Sequence, residues 1–128
     1  MLSLYFLFLA FSRLSNNLIF PNVGNKYVNK FNIPLVGEQK INAEIITNNT
    51  AKIKLSGLIN REGNCKYGIF KDELYVIVNH NLKEILDKFK VTFDTPEYDD
   101  INDKLKFTLF IQMLKFKKTL ILIRENDF

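Results

Sequence analysis

The chain contains no tryptophan, one cysteine and one histidine in 128 residues. The lone Cys65 cannot close an internal disulfide, so it is a free thiol or an intermolecular partner. At this length a domain buries roughly two-thirds of its unfolded surface, and no cross-link is required to hold it. A zinc site draws on several Cys, His or acidic ligands. His80 has no second histidine and no paired cysteines to join it, so no metal is assigned. It stands between Asn79 and Asn81 at an expected strand-to-helix junction, where a capping or surface role fits. A general base needs a partner within hydrogen-bond reach, and no neighbour in sequence supplies one. Glycines number only five, and none forms a G-x-x-x-x-G-K, G-x-G-x-x-G or G-x-S-x-G motif. H-E-x-x-H is also missing. The sequence therefore calls for no cofactor, no catalytic residue and no enzymatic activity, and it identifies no family.

No apolar run approaches the roughly 20 residues of a spanning helix. The longest opens the chain, where Leu4–Phe11 is unbroken and the first charged side chain is Arg13. That length suits a secretory signal. Two features weaken the reading: no Lys or Arg precedes the run, and Ala10-Phe11-Ser12 is a poor cleavage site. An interfacial membrane anchor and a helix buried in the core are the alternatives for residues 1–15. The expected address is secreted or membrane-associated, with an intracellular protein as the alternative.

Apolar residues make up 47% and charged residues 25%, the proportions of an ordinary globular domain. The net charge is +4, with residues 1–39 and 40–80 each at +2 and residues 81–128 neutral. This bias falls short of the dense basic patch of nucleic-acid binders, which argues against such a partner. Frequent Phe, Asn, Ile and Lys suggest an AT-rich coding sequence.

Hydropathy changes character near residue 39. Residues 16–38 mix Asn, Gly, Pro21 and Pro34 with short apolar stretches and read as an irregular connector. Residues 39–128 alternate with the period of strands. Ile41, Ala43 and Ile45 share one face, as do Ala51, Ile53 and Leu55, across a turn at Asn48-Asn49-Thr50. Residues 60–64 read as a further turn in which Gly63 is able to take positive φ. Strands are expected at 65–70, 74–80, 91–95, 104–113 and 119–125, with a loop at 96–104. One short helix interrupts them. Asn81 is its expected N-cap and Glu84 completes a capping box. Leu82, Ile85, Leu86 and Phe89 then share a face.

Three polar clusters carry candidate chemistry. Asp94, Glu97, Asp99, Asp100 and Asp103 crowd one region, but their spacing lacks the glycine and pattern of a calcium loop, so a solvated acidic loop is expected. Lys115, Lys117 and Lys118 flank Phe116. They suit a hairpin turn whose lysines discourage edge pairing, or a surface-basic contact with phosphates or an anionic membrane. Asn48-Asn49-Thr50 is also a glycosylation sequon, relevant only to a secreted chain.

The expected fold is mainly β (α+β), an antiparallel sheet or small barrel of about seven strands with one inserted helix. Such a sheet must cover its apolar face. Phe70, Tyr75, Phe93 and Phe107 are expected to line the enclosed space. The functional expectation is a non-enzymatic binding module that holds a hydrophobic ligand or meets a membrane-associated partner. The alternative is a structural or protein-interaction domain with a filled core.

Overall fold

The computed structural model describes residues 20–70 and 73–128, the side chains of residues 69, 70, 73 and 74 excepted. Residues 1–15 lie outside it, and so does the question of signal, anchor or core helix.

Among the described residues nine strands form one antiparallel sheet that curls into a half-barrel. They are β1 (Lys26–Ile33), β2 (Gly37–Thr47), β3 (Thr50–Gly57), β4 (Arg61–Phe70), β5 (Glu73–Val78), β6 (Val91–Phe93), β7 (Glu97–Asp99), β8 (Lys104–Ile111) and β9 (Phe116–Arg124). The helix α1 (His80–Lys88) joins β5 to β6. The spatial order is β5-β4-β3-β2-β1-β9-β8-β6, with β7 also paired to β8. Since β5 and β6 are the two ends of this order, α1 crosses the open side of the curl, against β4 and β6.

The alternation read in the sequence sets the inward face. Ile41, Ala43 and Ile45 of β2 and Ala51 of β3 are buried, as are Leu109 and Ile111 of β8, while Lys54, Lys104 and Lys106 are exposed. Leu120 and Leu122 of β9 complete this core.

Two strands were not expected. The supposed connector contains β1, which pairs with β2 over its whole length and with β9 at Tyr27–Arg124 and Val28–Ile123. It is therefore internal to the sheet. Pro21 and Pro34 fall on either side of it, where a missing N–H costs no ladder bond. Tyr27, Phe31 and Ile33 supply the inward face, but Asn29 takes the fourth position of that face and blurs the alternation. The second is β7, which continues the edge begun by β6. Between them the Asp94 carboxylate accepts the backbone N–H of Thr108 at 2.7 Å, and Asp94 N donates to Thr108 O at 3.0 Å. That local pairing carries the edge past Pro96, which has no N–H to give.

The helix begins two residues earlier than expected. Asn79 is the N-cap, its side chain accepting Leu82 N at 3.1 Å. Asn81 instead donates to the Glu62 carbonyl at 2.6 Å, and Glu84 pairs with Arg61 at 2.9 Å. Leu82 and Ile85 are buried against the sheet.

Gly63 is not a turn residue with positive φ. It lies within β4, and a side chain there would strike the amide of Asn79. Its smallness lets the cap lie against the strand. The β3–β4 turn occupies residues 58–60, and there the positive φ belongs to Gly57, at +129°. The buried Gln39 holds this turn, donating to Ser56 O and Ile59 O at 2.9 and 2.8 Å and accepting Ile59 N at 3.1 Å.

Candidate binding cavity

Inside the curl lies a cavity of about 660 Å³. Its walls follow from the alternation. Strands β2 and β3 contribute Ile41, Ala43, Ile45, Ala51, Ile53 and Leu55, and β5 contributes Val76 and Val78. The opposite wall is built by Val91 and Phe93 of β6, Leu105, Phe107 and Leu109 of β8, and Leu122 of β9. Leu82 and Leu86 close the side that α1 crosses. Phe93 and Phe107 meet edge to face, 6.2 Å apart.

Of the four aromatics expected to line the interior, Phe93 and Phe107 do so. Tyr75 does not. It immediately precedes the inward Val76, so the pleat turns it to the other face, where its ring lies over Gly68. The Phe70 side chain is outside the described residues. Two wall residues come from the supposed connector: Phe20 and Pro21 sit at the cavity, with Phe20 edge-on to Tyr67 at 5.2 Å. Nothing in the spacing of residues 16–25 signalled this, because no strand periodicity places Phe20.

The few polar groups of the walls are largely committed. Tyr67 donates its hydroxyl to Thr47 O at 3.1 Å, and burial raises its pKa. Tyr98 donates to Asp103 at 2.7 Å, and burial with that bond holds its hydroxyl protonated. Burial pushes the Cys65 thiol up to about 11, so it is not a thiolate at neutral pH and makes a poor nucleophile. Glu97 and Asp100 are exposed and form the acidic edge of the wall; among the described residues no Lys or Arg lines it.

The acidic region is more differentiated than a solvated loop. Asp99 caps a turn, accepting Ile101 N and Asn102 N, each at 3.1 Å. Asp103 gathers Tyr27, Tyr98 and Arg124. Burial opposes its ionisation, but the two hydroxyls and the guanidinium outweigh that and hold its carboxyl below the usual range. Its place one residue before β8 gave no hint of partners so distant in sequence. His80 opens α1 and is exposed, apart from the cavity walls. Among the described residues no group of three or more His, Cys, Asp or Glu could hold a metal ion.

Lys115 lies in the β8–β9 turn, and Lys117 and Lys118 follow it at the start of β9 on opposite faces of the sheet; none of the three lines the cavity. Lys115 adopts φ 51°, the left-handed conformation that reverses the chain after the 3₁₀ turn Gln112–Leu114. Lys117 and Lys118 stand opposite Phe110 and Leu109 on the ladder. All three are exposed. The sequon residue Asn48 is exposed in the β2–β3 turn. Among the described residues no helix is long and apolar enough to cross a membrane. No protein-family model, curated protein or solved structure matches the chain.

Proposed function

We propose that the protein is a non-enzymatic binding module that holds a small hydrophobic ligand inside the half-barrel. The cavity carries this reading: about 660 Å³ lined mainly by aliphatic and aromatic side chains, within the range of roughly 300–1,000 Å³ usual for ligand pockets. A sheet that merely needed a filled core would close such a space with larger residues at Ala43 and Ala51. The acidic edge, Glu97 and Asp100, favours a neutral or cationic ligand over a fatty-acid anion. An enzymatic reading has less support, because Cys65 is buried and protonated and His80 is remote from the cavity.

The test is native mass spectrometry of the protein purified from its natural source, paired with titration by the neutral apolar dye N-phenyl-1-naphthylamine. A retained small molecule, and dye binding abolished in the A43L/A51L variant, are the expected results. A bare protein mass with no dye uptake would instead leave a structural or protein-interaction domain.

A further inference from the structure

We infer that the β8–β9 turn is a docking surface for an anionic membrane. The reach from Lys104 to Arg124 contains six basic residues and no acidic one. Arg124 pairs with Asp103 at 2.9 Å, and Lys104 and Lys106, although in no ion pair within 4.0 Å among the described residues, have the acidic Asp99 and Glu97 as ladder partners. At the tip the situation differs. Among the described residues Lys115, Lys117 and Lys118 make no ion pair within 4.0 Å, and the ladder partners of Lys117 and Lys118 are the apolar Phe110 and Leu109.

The same tip exposes apolar side chains. Met113 is 59% exposed, Leu114 42% and Phe110 39%. The charges facing this end from the neighbouring element are also mainly positive. Lys90 accepts Gln112 N through its carbonyl, and Lys88 lies two residues before it; the nearby Asp87 is held by Lys83 at 2.9 Å.

Lysines interleaved with exposed Met, Leu and Phe match a surface that is anionic outside and apolar a few ångströms beneath. A nucleic acid would use the lysines but gain nothing from Met113 and Leu114, and the aromatic count at the tip is low for base stacking.

The experiment is sedimentation of the full chain with phosphatidylcholine vesicles and with vesicles containing about one-quarter phosphatidylserine. Any contribution of the apolar N-terminal residues appears with both vesicle types, and the variants at the tip assign the serine-dependent difference. Expected is a preference for the serine-containing vesicles that falls with salt. It is lost by at least about 50-fold in K115E/K117E/K118E, at roughly fivefold per lysine at such a surface. M113S/L114S weakens it while keeping the charge. All five positions are exposed, and a thermal melt confirms that each variant folds. Equal binding of both vesicle types, or a triple variant that binds as well as the parent, overturns the inference. So does M113S/L114S with undiminished affinity, or a single-stranded oligonucleotide that outcompetes the vesicles.

Discussion

The hydroxyl of Tyr27, in β1, donates to Asp103 Oδ1 at 2.5 Å across 76 positions of sequence. The contact sits where the sheet is most weakly laddered, since β1 and β9 share only two register pairs. Arg124, one of those paired residues, bonds the other oxygen of Asp103 at 2.9 Å, and Tyr98 of β7 adds a second hydroxyl. One carboxylate therefore ties three strands across the seam between the two halves of the half-barrel. Asn29 extends the seam by donating to Ile121 O at 2.7 Å.

Asp103→Ala should cost several kcal/mol, because it removes the acceptor from the fully buried Tyr27 and from Tyr98, at about 1–3 kcal/mol for each buried donor left unmade. Asp103→Asn separates charge from shape. The folded carboxyl lies below its ordinary value of about 3.9. A lowered folded value gives stability that is present above the unfolded pKa and disappears as pH falls through the folded one. Urea melts at pH 7, 5 and 3 should thus show parent and Asp103→Asn far apart at pH 7 and 5 and converging at pH 3. A separation constant with pH would mean that the charge of Asp103 contributes nothing.

Gly57→Ala should destabilise the domain by more than about 1 kcal/mol. Two effects add: φ is +129°, and a Cβ would lie 2.6 Å from the Glu38 carbonyl oxygen. The obstacle is backbone, held by the Gln39 bonds to the same turn, and cannot swing aside. The neighbouring Leu58→Ala, at a 60% exposed position, is the control and should be near neutral. Similar melts for both variants would mean that the turn relaxes freely.

Asn79→Ala should lower stability by about 1 kcal/mol, the usual cost of an N-cap acceptor. Asn81→Ala removes a different bond, from the side chain to Glu62 O at the start of β4, and that bond is exposed. Its effect on a thermal melt should be the smaller. The opposite order would place the effective helix start at Asn81.

The contrast between these two asparagines shows where sequence reading stops. Both satisfy the local chemistry of a cap, and Glu84 even completes a capping box with Asn81. The choice is made by tertiary contacts: Arg61 draws Glu84 away, and Gly63 leaves room for Asn79. Strict alternation, as in Ile41–Ile45 or Leu105–Ile111, was readable because each strand buries one face. β1 and β7 were hidden by short length or by Asn and Asp at positions whose partners lie far along the chain. For the same reason Phe107 could be placed in the interior by its alternation with Leu105 and Leu109, whereas Phe20 and the Asp103 cluster could not. Tyr75 failed by one residue of register, which inverts the face.

The N-terminal stretch supplies the last test. The described domain builds its cavity and core from residues 20 onward, and Phe20 already packs on Tyr67. A chain starting at Asn16 keeps that contact. If residues 1–15 are a signal or an anchor, this truncation should melt in denaturant at the same midpoint as the full chain. If they pack as a core helix, the loss of several large apolar side chains, at about 2–5 kcal/mol each, would rival the whole stability of a small domain. Vesicle sedimentation then separates anchor from signal. An anchor gives the full chain an affinity for neutral phosphatidylcholine that the truncated chain lacks. If the β8–β9 turn is the docking surface inferred above, the serine-dependent part should survive truncation unchanged. An unfolded truncation beside a folded parent would make residues 1–15 structural. Loss of the serine-dependent part in a folded truncation would move the membrane contact from the β8–β9 turn to the chain's first residues.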